Sequence, residues 1–140
     1  MKKKSSRVKR EVREKLNKDI WFFYSVNALL AEEQTPYQKI ELLKTAALGK
    51  VLLLDGITQI SERWEYRYHE LLVHPALLSH PFPRRALLIG GGDGGTLREI
   101  LLHKTVEQVD FIELDEAVVR LAQKELSSVH CGAFDDPRVL

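Results

Sequence analysis

Residues 86–99 read Ala86-Leu87-Leu88-Ile89-Gly90-Gly91-Gly92-Asp93-Gly94-Gly95-Thr96-Leu97-Arg98-Glu99. Four apolar residues followed at once by glycines are the end of a short buried strand and a tight turn. Leu97, Ile100 and Leu101 then fall on one helical face, so a helix is expected from Thr96 to His103. The glycines satisfy G-x-G-x-x-G through Gly90, Gly92 and Gly95, between a strand and a helix, which is the context a nucleoside or dinucleotide loop requires.

Downstream the alternation continues. Val106 to Glu113 reads as a second strand. Asp115 or Glu116 can cap a second helix to about Leu126. A loop with Gly132, Asp135, Asp136 and Pro137 follows, and Arg138-Val139-Leu140 begins a third strand. This β-α-β-α order predicts a parallel, Rossmann-like sheet. Such sheets are covered on both faces and have about five or more strands, so the chain is expected to be the N-terminal part of a protein roughly twice as long.

Upstream, the pattern is antiparallel. Ile20 to Tyr24 is aromatic and β-prone, Tyr37 to Leu42 alternates imperfectly after Pro36, and Lys50 to Leu54 meets Ile57 to Ile60 across the turn dipeptide Asp55-Gly56. Residues 62–79 read as a helix that Pro75 should kink or break. The predicted fold class is therefore α/β, with a small N-terminal antiparallel β-domain before the first half of a Rossmann-like parallel sheet. The predicted segments are a basic extension at 1–19, a β-domain with connecting helix at 20–83, and a nucleoside-binding portion at 84–140.

The chain of 140 residues is 44% hydrophobic and 29% charged, which suits a globular domain. Its net charge of +1 hides an asymmetry: residues 1–18 hold nine Lys or Arg against two Glu. A basic tail can attract nucleic acid or anionic lipid, but no aromatic residue interleaves with these charges before Trp21, which argues against nucleic acid. The tail can also form a short amphipathic helix through Val8, Val12 and Leu16. Lys2-Lys3-Lys4 is followed by no apolar stretch, so neither a secretory signal nor a membrane span is expected. Cys131 is the only cysteine, which fits the cytoplasm. The histidines show no metal-ligand spacing, and no metal is assigned.

Asp93 is the unusual member of the glycine loop. A phosphate prefers bare backbone amides and a helix N-terminus, and a carboxylate there repels it. The same carboxylate attracts an ammonium group, so the loop favours an adenosine ligand with a cationic far end. The alternative is that Asp93 points to solvent or caps the following helix. Glu113 lies 21 residues past Gly92, where an acid suited to ribose hydroxyls is expected, with Asp115 next in reach. Tyr68 offers a π face and a hydroxyl to an alkylammonium, and His69 is either its neighbour in a site or a core histidine.

At this point the sequence resembles the spermidine synthase family, the polyamine aminopropyltransferases. The resemblance is carried by Tyr37-Gln38, Leu54-Asp55-Gly56 with Gln59, Tyr68-His69-Glu70, the string GGGDGGTLRE at 90–99, Val106-Glu107, Glu113-Leu114-Asp115 and Asp136-Pro137-Arg138, and it covers about residues 20–140. It implies a methyltransferase-type fold for the second domain. It further implies contacts to the donor or to methylthioadenosine by Gln38, Gly90, Gly91, Asp93, Glu113, Leu114 and Asp115. Tyr68, His69 and Asp93 are implied polyamine-site residues. The catalytic aspartate of the family falls after Leu140, so the 140-residue chain alone is expected to be inactive. Many members read Asp-Glu-Phe where this chain has Trp64-Glu65-Tyr66, a change that bears on the amine acceptor.

The implied reaction moves an aminopropyl group from decarboxylated S-adenosylmethionine, a co-substrate rather than a cofactor, to putrescine or a similar diamine, and releases methylthioadenosine. A homodimer or homotetramer is implied. Two other readings stand beside it: an S-adenosylmethionine-dependent methyltransferase on the same fold, and a non-catalytic binding or assembly module.

Overall fold

A computed structural model of the chain describes residues 10–140. The basic run before Arg10, including Val8, lies outside the described residues. The described residues form two compact units, one of residues 10–34 and 38–61, the other of residues 35–37 and 62–140.

In the first unit, β1 (Glu11–Lys15) and β2 (Trp21–Ser25) form an antiparallel hairpin, with Val12 opposite Tyr24 and Glu14 opposite Phe22. The amphipathic helix considered for this segment is not what forms. Residues 11–15 alternate exposed and buried with a period of two, which sends Val12 and Glu14 inward and suits a strand. Four further strands make an antiparallel meander: β3 (Ala28–Gln34), β4 (Lys39–Thr45), β5 (Gly49–Leu54) and β6 (Ile57–Ser61). Asp55 and Gly56 turn β5 into β6 with φ of 50° and 79°, the left-handed pair that a two-residue hairpin demands. Asp55 also accepts a 2.8 Å hydrogen bond from the Lys39 amide.

Val12, Tyr24, Val26, Leu43, Leu48, Val51 and Leu53 form the core between hairpin and meander, with Phe22 at its edge. Two carboxylates are buried in this unit, and both are satisfied. Glu14 accepts from the Thr58 amide at 2.8 Å and from the Thr58 hydroxyl. Burial pushes the Glu41 carboxyl up, but Arg10 at 2.6 Å and Lys39 at 3.5 Å outweigh it and hold the group below its ordinary value.

The second unit contains α1 (Glu65–Ser79), β7 (Arg85–Ile89), α2 (Gly95–Leu101), β8 (Gln108–Ile112), α3 (Glu116–Glu125), the short α4 (Ser127–His130) and a 3-10 turn at Ala133–Asp135. β7 and β8 pair in parallel from Arg85 opposite Gln108 to Ile89 opposite Ile112. Val139 bridges to Val109 in the same direction, so residues 138–140 run as a third parallel strand beside β8. The core gathers Val73 of α1, Leu88 of β7, Leu97 and Ile100 of α2, and Val106, Val109 and Ala133. α1 contributes Val73 and Leu77 to this core, so it packs within the second unit. Pro75 does not end α1, which continues to Ser79. The missing proline amide removes one helical bond, while Val73 and Leu77, anchored on either side, keep the last turn in place.

Candidate functional site

The glycine loop joins β7 to α2 within the second unit. Gly90 and Gly91 both have positive φ, 77° and 83°, which lets the chain reverse directly off the strand. The Gly90 amide donates to the Ile112 carbonyl at 2.8 Å, and the Gly94 amide closes the turn on the Gly91 carbonyl at 2.9 Å. The loop is therefore fixed to the end of β8.

Glu113, at that same end, reaches back to the loop. Its Oε2 accepts from the Gly92 amide at 2.9 Å, and its Oε1 accepts from the Asp115 amide at 3.1 Å. Each carboxylate oxygen retains further acceptor capacity for hydroxyl donors. Leu114 beside it is 70% exposed. Asp115 likewise has a structural partner on each oxygen. Its Oδ1 caps α3 through the Ala117 amide at 3.1 Å, and its Oδ2 accepts from the Thr35 hydroxyl at 2.8 Å. Gln38, by contrast, belongs to the first unit, where it directly precedes β4.

Asp93 is nearly buried and has two neighbours within the unit. Its Oδ1 accepts from the Gly95 amide at 2.7 Å, at the first turn of α2. The same oxygen lies 3.2 Å from Nε2 of His69. That contact is an ion-pair approach without hydrogen-bond alignment, since Nε2 has no aligned acceptor. On the other side of the ring, Nδ1 of His69 donates to Oε2 of Glu65 at 2.6 Å, one helical turn away on α1. The imidazole is fully buried. Burial pushes its pKa down, but Asp93 and Glu65 together outweigh burial and hold it above the ordinary 6.5.

The cluster extends past the residues singled out from sequence. Arg98 of α2 donates to both oxygens of Glu65, at 3.0 and 3.1 Å, and to Oε1 of Glu99 at 2.8 Å. The guanidinium is held above its ordinary value: burial opposes this, and its hydrogen bonds to Glu65 and Glu99 overcome it. Glu99 continues to His74 at 3.1 Å, and His74 to His103 at 2.9 Å. The i,i+4 spacing of Glu65 and His69 was a readable signal for one pair. Nothing local in the sequence marks Arg98 as the residue that crosses to Glu65. Tyr68 is 60% exposed, its ring edge-on to His69 with centroids 5.2 Å apart. Among the described residues no group of His, Cys, Asp and Glu is arranged to hold a metal ion, and no helix is long and apolar enough to cross a membrane.

The arrangement is a loop that offers an acid to hydroxyl groups at one end and a nearly buried carboxylate to a cation at the other. Comparison with known proteins gives the family. The spermine/spermidine synthase domain matches residues 65–140, and the spermidine synthase tetramerisation domain matches residues 12–62. The polyamine aminopropyltransferase of Thermococcus onnurineus is 53% identical over 115 residues, covering 82% of this chain and 40% of that protein. That of Desulforudis audaxviator is 46% identical, covering 89% of this chain and 45% of the relative. A spermidine synthase solved in complex with the transition state analogue AdoDATO superposes with a TM-score of 0.88 at 40% identity, over 94% of this chain and 45% of that one. The spermidine synthase from Thermotoga maritima gives the same score and identity, over 94% and 46%. The chain thus spans less than half the length of the proteins it matches.

Proposed function

This chain belongs to the spermine/spermidine synthase family, and from that premise we propose that its protein is a polyamine aminopropyltransferase. The reaction moves the aminopropyl group of decarboxylated S-adenosylmethionine to putrescine. A neutral amine nitrogen attacks the methylene next to the sulfonium, the carbon–sulfur bond breaks, and sulfur keeps the electron pair as the thioether of methylthioadenosine. The attacking nitrogen loses a proton. The sulfonium already activates the carbon, so the protein's part is orientation and proton removal.

The observation that carries this reading is Asp93, a carboxylate inside the glycine loop and 9% exposed. It suits an ammonium group and repels the carboxylate of ordinary S-adenosylmethionine. Glu113, with Leu114 and the loop glycines Gly90 and Gly91, serves the nucleoside end in this proposal. Gln38 is a further donor contact, and Tyr68 and His69 belong to the polyamine side. The matched tetramerisation domain supports a homotetramer, with the outer face of the β1–β2 hairpin as a contact between subunits. The cytoplasm is the proposed compartment.

The test is a product assay on the full-length protein with decarboxylated S-adenosylmethionine and putrescine. Spermidine and methylthioadenosine should form in equal amounts. Tighter binding of ordinary S-adenosylmethionine than of the decarboxylated donor, with methyl transfer in place of aminopropyl transfer, would overturn the proposal.

A further inference from the structure

His69 sits between two carboxylates, Glu65 on α1 and Asp93 in the glycine loop. Glu65 accepts from Nδ1, so that nitrogen carries a proton. A neutral ring would then place a bare Nε2 3.2 Å from an Asp93 oxygen, too close for a water to stand between. Two lone-pair-bearing atoms at that separation in a buried site repel. The arrangement is attractive only when Nε2 also carries a proton.

Three carboxylates (Glu65, Asp93 and Glu99), the Arg98 guanidinium and an imidazolium then leave one net negative charge in the cluster. His74 and His103 meet it only through Glu99, at the far end. His130 packs beside Gly94, while its Nδ1 accepts from the Gly132 amide. At the loop end, Oδ1 of Asp93 is taken by the Gly95 amide and His69. Its Oδ2 accepts no hydrogen bond among the described residues.

We propose that Glu65 and Arg98 are positioning residues, which hold His69 as a permanent imidazolium that pins Oδ1 of Asp93 and leaves Oδ2 as the single acceptor for one substrate ammonium group. The identity of that ammonium rests on the aminopropyltransferase reading; the pinning does not. Arg98 holds both oxygens of Glu65, so it fixes which oxygen faces the ring as well as its charge. His69 neither gains nor loses a proton when the amine binds. It is a fixed counter-charge, and Gly95 is the space it occupies: a Cβ there would lie 2.2 Å from Cε1 of the ring.

The experiment is 15N NMR of the imidazole nitrogens in the full-length protein, titrated with pH and with 1,4-diaminobutane. His69 is picked out of the protein's histidines by loss of its signals in His69→Gln. Wild-type His69 should show the imidazolium pattern at pH 7 and keep it when the diamine saturates. Glu65→Gln keeps an acceptor but removes the charge. It should bring the neutral ring into the neutral pH range and raise the amine KM about tenfold, with a smaller change in kcat. The KM profile should gain a break at the new ring pKa, which a purely structural role would not produce. Arg98→Lys should lie between the two.

A neutral His69 ring at pH 7 in the wild-type protein overturns the inference, even if neither the Glu65 nor the Arg98 variant folds. So does a Glu65→Gln protein whose ring protonation and KM are those of the wild type. Failure of the diamine to perturb a protein whose His69 is charged as described would instead overturn the aminopropyltransferase reading and leave the pinning intact.

Discussion

A methyl group at position 95 has nowhere to go. The third glycine of the loop pattern has no positive φ to excuse it; its reason is space, since its missing Cβ would meet Cε1 and Nδ1 of His69 at 2.2 and 2.3 Å. The ring is fully buried between two carboxylates and cannot yield cheaply. Gly95→Ala is therefore expected to cost about 1–3 kcal/mol in urea unfolding, and most of that cost should disappear in a His69→Ala background, where the two changes are strongly non-additive. His69 also links stability to pH. Its folded pKa is raised, because Asp93 and Glu65 outweigh burial. The stabilisation is then fully present below the ordinary value of 6.5 and is lost as pH rises through the raised value. The stability difference between wild type and His69→Gln should be widest in mild acid and close on the alkaline side, as read from urea midpoints across pH. Sequence reading found Asp93 and His69 separately, from loop chemistry and from family likeness. It did not find the cluster, because Arg98 reaches Glu65 across 33 residues of chain and no local pattern encodes that crossing.

The elements that were readable are those whose burial follows a simple period. β5, the Asp55-Gly56 turn and β6 stand close to where alternation and turn chemistry put them. Of the two acids expected as a cap, Asp115 rather than Glu116 caps α3. β3 was not legible. Ala28-Leu29-Leu30-Ala31-Glu32-Glu33-Gln34 is rich in helix formers, and it is a strand because it adds to the edge of β4, a pairing that overrides local propensity. β1 was obscured by its charges, since Glu14 points inward and finds Thr58 there. At this scale Asp115 gives a clear expectation. It satisfies the α3 amide at Ala117 and the Thr35 hydroxyl, so Asp115→Ala should lower stability by about 1–2 kcal/mol. Thermal or urea unfolding checks this, and a Thr35→Val protein should lose less, because it leaves the cap intact.

At the scale of the whole molecule, the outer face of the β1–β2 hairpin exposes large apolar side chains that monomer packing does not explain. Trp21 is 56% and Phe23 68% exposed, side by side on β2, with Lys15 over the Trp21 ring. Together with Glu11 and Arg13 they line an open groove of about 450 Å³. Residues 12–62 match a tetramerisation domain, and an apolar patch rimmed by charge is what a subunit contact requires. Phe23→Asp should lower the mass measured by sedimentation velocity, while the isolated fold keeps its circular dichroism. An unchanged mass would count against this face as a subunit contact. The broad division into an antiparallel sheet and a parallel one was legible from the connections, a two-residue Asp55-Gly56 turn between antiparallel strands and helices alternating with the parallel ones. The allocation of α1 was less so, because its contribution to the parallel unit comes from Val73 and Leu77, on either side of the proline that suggested a break.

The third parallel strand gives β8 a property that its neighbour β7 lacks. Amides of β8 leave alternately to opposite sides: Gln108 bonds to Arg84 on one side, while Val109 bonds to Arg138 and Phe111 to Leu140 on the other. Odd and even positions of one five-residue strand are therefore separate reporters in deuterium exchange. Slow exchange at 109 and 111 registers the docking of residues 138–140, and slow exchange at 108 registers the pairing with the strand that leads into the glycine loop. A perturbation that loosens one side and spares the other would show as alternating protection along β8, so a single peptide segment can tell whether a ligand tightens the loop side, the chain beyond it, or both.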